Sequence, residues 1–201
     1  MDQPRVVAFV IQNNAGKRLL ARYYDAPAFP TESSRQELEE QLHRKVAATT
    51  AGRGGAAVAP LSDLGAGAPW GASWNGDDVE VVLLPGGYTA LAKPSADVWL
   101  AVVARSEENE LVFAQVLNTV YSALSALADE VRELRILRHY EAALLVLDEV
   151  LDDSGVVLET DPVEVQERLA PVIARPVNLA EQSLSEALQN ATASVTRSLL
   201  K

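Results

Sequence analysis

Val79-Glu-Val-Val-Leu-Leu84, Tyr88-Thr-Ala-Leu-Ala-Lys93 and Asp97-Val-Trp-Leu-Ala-Val-Val-Ala104 read as three strands, separated by Pro85-Gly86-Gly87 and by Pro94-Ser95. Proline and glycine at those joints interrupt the ladder and turn the chain, so the spacing predicts an antiparallel meander. The third strand is apolar at odd and even positions alike from Val98 to Val103, and a strand apolar on both faces belongs inside a sheet. Such a sheet needs a cover on each side.

Upstream, the apolar runs Val6 to Ile11 and Arg18 to Tyr24 flank Gln12-Asn-Asn-Ala-Gly-Lys17, whose Asn and Gly suit positive φ, which predicts a β-hairpin. After Pro27 and Pro30, Ser33 with Gln36 makes a capping-box pattern, and Leu38, Leu42 and Val46 recur every four residues; this predicts an amphipathic helix over 33–47. Downstream, Ser106 followed by Glu107, Glu108 and Glu110 reads as a capped helix start, with Phe113, Leu117, Val120, Tyr121, Leu124, Leu127 and Val131 on one stripe. A second stripe, Leu134, Leu137, Tyr140, Leu144, Leu147 and Leu151, predicts a further packed helix or helix pair ending at Asp152-Asp-Ser-Gly155, before an extended Val156-Val-Leu158. Pro171 and Pro176 then set off a last helix, where Asn178 and Glu181 cap and Leu184, Leu188, Ala191, Val195 and Leu199 form a narrow apolar stripe suited to a partner.

Residues 47–78 differ in character: they hold 7 of the 11 glycines and nine alanines with no apolar period, and read as a flexible insert whose Trp70 and Trp74 make loose local contacts, the alternative being that they dock on the body or on a partner. The expected organisation is therefore a body over 1–160 carrying that insert and a C-terminal extension over 161–201.

Twenty-eight acidic against 17 basic residues give a net charge of −11, which repels phosphate backbones and anionic lipid. Direct nucleic-acid binding is not expected. The absence of cysteine removes disulfides, thiol nucleophiles and thiolate zinc sites and fits a reducing, cytoplasmic setting. The apolar run after Met1-Asp-Gln-Pro-Arg5 is too short to span a bilayer, and neither an export signal nor a membrane anchor is expected. Catalytic patterns fail on residue type or spacing. Gly16-Lys17 lacks the first glycine and the Ser/Thr of a phosphate loop, having Ile11 and Arg18 there. Asp148, Glu149, Asp152 and Asp153 lack calcium-loop spacing and read as a solvated helix end. His43 and His139 stand in helical patterns without a second ligand type, and no Gly-x-Ser-x-Gly elbow exists. No enzyme, cofactor or metal site is expected.

Two strands, a helix, three strands and two helices is the order of the longin-like domain of vesicle-coat small chains. Arg18-Leu-Leu-Ala-Arg-Tyr-Tyr-Asp25, Glu108-Asn-Glu-Leu-Val-Phe-Ala-Gln-Val-Leu-Asn118, Leu144-Leu-Val-Leu-Asp-Glu-Val-Leu-Asp152 and Gly155-Val-Val-Leu-Glu-Thr-Asp-Pro162 together resemble the coatomer (COPI) zeta-subunit family, a branch of the clathrin-adaptor small-chain (sigma), longin-like family. So does the tail Leu179-Ala-Glu-Gln-Ser-Leu-Ser-Glu-Ala-Leu-Gln189 with Ser198-Leu-Leu-Lys201. The chain departs from that family in the insert 47–78 and in Asp153-Ser154-Gly155, where the family has a turn one residue shorter.

The resemblance implies an α+β, longin-like (SNARE-like) fold, a five-stranded antiparallel sheet flanked by helices, with a C-terminal helical tail. It implies a non-catalytic subunit bound to the gamma coatomer subunit within the heptameric coat, recruited indirectly by an Arf-family GTPase. Such a chain would be cytoplasmic and peripheral on Golgi membrane and COPI-coated vesicles, in Golgi-to-ER retrograde and intra-Golgi transport. The competing readings are an adaptor sigma chain or a tethering-complex subunit, and, from another class, a small hydrolase; the long tail weighs against the sigma chain and the missing triad against the hydrolase.

The charge balance yields a direct expectation. The purified chain should stay in the supernatant when sedimented with anionic, Golgi-like vesicles at low and high salt; salt-sensitive binding by the chain alone would show a local basic face that the net charge conceals.

Overall fold

The computed structural model describes residues 3–53, 79–128 and 130–173. The chain divides into two units, Met1–Glu167 and Arg168–Lys201. The first carries all five strands: β1 (Val6–Asn13), β2 (Arg18–Tyr23), β3 (Glu80–Leu84), β4 (Tyr88–Pro94) and β5 (Val98–Arg105). Its sheet has the order β2-β1-β5-β4-β3 and every pairing is antiparallel. The hairpin and the meander are thus joined through β1 and β5, with Phe9 opposite Val102 and Val10 opposite Ala101. As its two-sided apolar pattern required, β5 is central and buried from Val98 to Ala104.

Each face is covered by helix. Helix α1 (Glu32–Arg53) lays Leu38, Leu42 and Val46 into a core with Val10, Val82, Leu84, Ala90, Ala92, Trp99, Ala101 and Val103. Strand alternation puts Leu91, Lys93, Leu100 and Val102 on the opposite face. There the Lys93 ammonium donates to Asn118 Oδ1 at 2.7 Å and lies 4.8 Å from the Tyr121 ring centroid, which fixes helix α2 (Glu110–Ala128) on that side. By length and composition α2 is apolar enough to cross a bilayer, but Phe113, Val116, Leu117, Val120 and Leu124 are buried, as in a core helix. Helices α3 (Glu133–Arg138) and α4 (Tyr140–Val150) follow, α4 packing on α2.

The helix ends correct the expectations. Helix α1 is capped by Thr31, not Ser33: the Ser34 N–H donates to Thr31 Oγ1 at 3.2 Å and the Thr31 N–H to Ser34 Oγ at 3.3 Å, a reciprocal cap. The helix also runs to Arg53, past residue 47 where the insert was expected to begin, because Ala47, Ala48 and Ala51 are strong helix formers. The remainder of that stretch, 54–78 with Trp70 and Trp74, lies outside the described residues. Helix α2 begins at Glu110 under Asn109, whose Oδ1 accepts the Leu111 N–H at 3.0 Å. Ser106 instead joins the sheet, its N–H on Gly87 O at 2.9 Å and its Oγ accepting from Thr89 at 3.0 Å. Helix α5 (Pro162–Ile173) was not foreseen; Asp161 Oδ1 accepts the Val163 N–H at 2.8 Å and Pro162 stands at the first helical position. Pro171, read as a breaker, sits inside it near the end, where a lost N–H forfeits a single intrahelical bond.

The loop after α4 fastens the start of β1. Asp152 Oδ1 accepts the Ser154 N–H, the Ser154 hydroxyl and the Val156 N–H, each at 2.8 Å, which holds its carboxyl below the usual carboxylate range. The loop then offers Gly155 O to the Val6 N–H at 2.7 Å, and Arg5 pairs with Val156. Gly155 has φ +78°, and a Cβ there would overlap Val6 O and lie 2.9 Å from Tyr24 Cβ. At Gly87 φ is also +78° but a Cβ would meet nothing within 4 Å.

Two paired substitutions test this arrangement by chemical denaturation. Gly87→Ala should cost only the left-handed strain, about 1–2 kcal/mol, whereas Gly155→Ala should cost roughly 3 kcal/mol or more through the added clash. Val102→Asp, between Phe9 and Leu91, should leave no soluble protein, while Leu100→Asp, opposite Lys93, should retain some. Equal losses within either pair would contradict the placement.

Candidate partner interface

The sequence-predicted contact residues Leu184, Leu188, Ala191, Val195 and Leu199 lie outside the described residues. Among the described residues, exposed large apolar side chains are grouped at two places in the first unit, apart from others that include Leu111, Leu158 and Val163. One is α3 and the start of α4, where Leu134 is 65% exposed and Leu137 and Tyr140 are 48% and 40% exposed. These three were expected to face the core. The inward residues are instead Ile136, Ala142, Ala143 and Val146, because the backbone breaks at His139 (φ −112°, ψ 36°) and α4 starts in a new phase. Leu147 and Leu151 are buried as expected. Arg135 and Arg138 flank the exposed leucines, and Arg132 pairs with Glu130 at 2.6 Å. The second place is β3, at the other edge of the sheet, where Val81 and Leu83 alternate outward.

A third feature is polar. Along the open edge of β2 runs a groove of about 280 Å³, lined by Arg18, Leu19, Leu20, Ala21 and Tyr23, with Arg35 of α1 on one side and Tyr140 of α4 on the other. Arg18 donates to Glu32 at 2.6 Å and to Glu39 at 3.0 Å. The Tyr23 hydroxyl donates to the same Glu39 oxygen at 2.7 Å; burial, then that bond, pushes the phenol well above its ordinary pKa, so it stays a donor. The Arg35 guanidinium lies 4.9 Å from the Tyr23 ring centroid and its Nε–H donates to Phe29 O at 3.1 Å. It makes no ion pair among the described residues.

The titratable groups examined in the sequence have structural surroundings. Asp148 accepts from Arg22 at 2.6 Å and Asp153 lies 3.7 Å from the same guanidinium, so this end of α4 is tied to β2 and is not merely solvated. His43 stacks on Trp99 with centroids 6.3 Å apart, and burial lowers its pKa. Among the described residues no three His, Cys, Asp or Glu side chains converge as a metal site would need.

Comparison with known proteins agrees with this geometry. The family described as the clathrin adaptor complex small chain matches residues 5–174. Human coatomer subunit zeta-1 is 32% identical over 197 residues, covering 98% of this chain and 93% of the relative. Mouse coatomer subunit zeta-2 is also 32% identical, covering 98% and 80%. A chain of the full-length AP-3 complex in a stretched open conformation, itself a homology model, superposes with a TM-score of 0.55 at 19% identity, covering 90% of this chain and 98% of that one, and shares the fold. The chain belongs to the clathrin adaptor complex small chain family, and the relatives named above are coatomer zeta subunits.

Proposed function

We propose that this chain works as the small, non-catalytic zeta-type subunit of a COPI vesicle coat, stabilising the gamma subunit for Golgi-to-ER retrograde and intra-Golgi transport. The observation that carries this reading is the extent of the match: the alignment with human zeta-1 takes in 98% of this chain and 93% of the relative, and so runs past residue 174, where the match to the small-chain family ends. Adaptor small chains and coatomer zeta chains are structural components of multi-subunit coats, which accords with a site made of apolar and ion-paired side chains.

In this role the chain is cytoplasmic and reaches Golgi membrane and COPI-coated vesicles through the assembled coat and its Arf-family GTPase. The exposed Leu134, Leu137 and Tyr140 form part of the contact with the large subunit, and the tail stripe Leu184, Leu188, Ala191, Val195 and Leu199 adds a second contact. Apolar side chains at the centre of an interface typically cost 2 kcal/mol or more when truncated.

Affinity purification of the tagged chain from its native cells, read by mass spectrometry, should return a gamma-type large subunit with the other coatomer subunits in equal amounts. Leu134→Ser with Leu137→Ser, or Leu184→Ser with Leu188→Ser and Val195→Ser, should each reduce that recovery roughly tenfold while the thermal midpoint of the body is kept. Recovery of adaptor large chains instead, or of no large partner, would overturn the reading.

A further inference from the structure

The open edge of β2 presents a row of main-chain groups in a defined direction. The Tyr24 N–H donates to Val7 O at 2.9 Å, and the register places Phe9 opposite Arg22, Val10 opposite Ala21 and Ile11 opposite Leu20. In an antiparallel ladder hydrogen-bonded pairs alternate with non-bonded ones. Arg22 and Leu20 therefore turn their N–H and C=O groups toward β1, and Ala21 and Tyr23 turn theirs outward. β2 is the last strand of the sheet, and the groove lies where those outward groups are, lined by Ala21 and Tyr23 themselves.

We propose that this edge is a strand-addition site, which receives an extended, carboxylate-bearing segment of a partner polypeptide as a sixth strand beside β2. The main chain supplies the pairing, as at other exposed sheet edges. The side chains supply the selection. Arg35 stands at the groove without an ion pair among the described residues, while the carboxylates nearby, Glu32 and Glu39, are already held by Arg18. Tyr140 gives the opposite wall an aromatic surface for an apolar neighbour of that carboxylate. Charge also argues against a second copy of this chain as the occupant. Two β2 edges related by a two-fold axis would offer the Arg35 of each copy no free carboxylate, since Glu32 and Glu39 of both copies are already held by Arg18.

The proposal rests on the reading of the chain as a subunit of a larger assembly, and amide hydrogen exchange separates the two. The probe is the complex purified through the tagged chain, compared with the chain alone. The Ala21 and Tyr23 amides should exchange quickly in the free chain and at least tenfold more slowly in the complex, while the Arg22 amide is protected in both. Ala21→Pro removes one outward donor and leaves the β1 ladder bonds in place, so it should keep the thermal midpoint within a few degrees and lower partner recovery several-fold; Arg35→Gln should do the same without any backbone change. Fast exchange at Ala21 and Tyr23 in a complex that retains its large partner overturns the strand addition and leaves the coat reading standing. Failure to recover any large partner overturns both. Protection of those amides in the free chain overturns the proposal by assigning the edge to this chain, in a dimer if the free chain sediments as one and within one molecule if it is monomeric.

Discussion

Burial of β5 on both faces is the constraint from which the rest of the first unit follows. A strand whose residues from Val98 to Ala104 are all removed from water must have a neighbour on each edge and a layer on each face. β1 and β4 supply the edges, and their own apolar alternation extends the two faces outward to β2 and β3. α1 covers one face with leucine and valine spaced at four, and α2, backed by α4, covers the other. The clamp at Gly155 belongs to the same requirement, since it holds the first residues of β1 against the loop that follows α4.

Polar groups inside this body act as fasteners. Lys93, nearly inaccessible, reaches Asn118 and the face of Tyr121, and thereby ties β4 to α2. Thr119 donates to Thr160 O and ties α2 to the segment ahead of α5. Tyr23 and Arg18 meet on Glu39 and bind the β2 edge to α1. Lys93, Glu39 and Thr119 are buried and each is held by a partner from another element, where a polar group left unpaired would cost more than the bond itself is worth.

What could be read from the sequence was what periodicity encodes. The five strands, their grouping as a hairpin and a meander, the interior position of β5 and the α1 stripe all follow from alternation and from proline and glycine punctuation, whereas the β1–β5 pairing that joins the two groups had no such signal. The caps were misplaced because several polar residues precede each helix, and only geometry selects Thr31 over Ser33 and Asn109 over Ser106. The inner face of α3 and α4 was misread because a single period was carried through His139, where the backbone breaks. Helix α5 did have a signal: Asp161 as cap, Pro162 at the first position and Glu164 in the first turn. It was overlooked because proline was weighed as a breaker without regard to its position. The groove along β2 had no sequence signal, since it arises where Arg35 and Tyr140, 105 positions apart, meet one strand edge.

The distribution of cations completes the physical picture. Among the described residues Arg18, Arg22, Arg105 and Arg132 each lie within 4 Å of a carboxylate, respectively Glu32 and Glu39, Asp148 and Asp153, Asp25, and Glu130. In a chain of net charge −11, cations engaged in this way add little outward positive field, and exposed ion pairs of this kind contribute little stability either. Their effect is positional: Arg22 ties β2 to the end of α4, Arg105 ties β5 to the turn after β2, and Arg18 ties β2 to α1. With these four arginines engaged, the recognisable features of the described surface are the sheet edges, Arg35 beside β2, and the α3 face, where Arg135 and Arg138 flank exposed leucines.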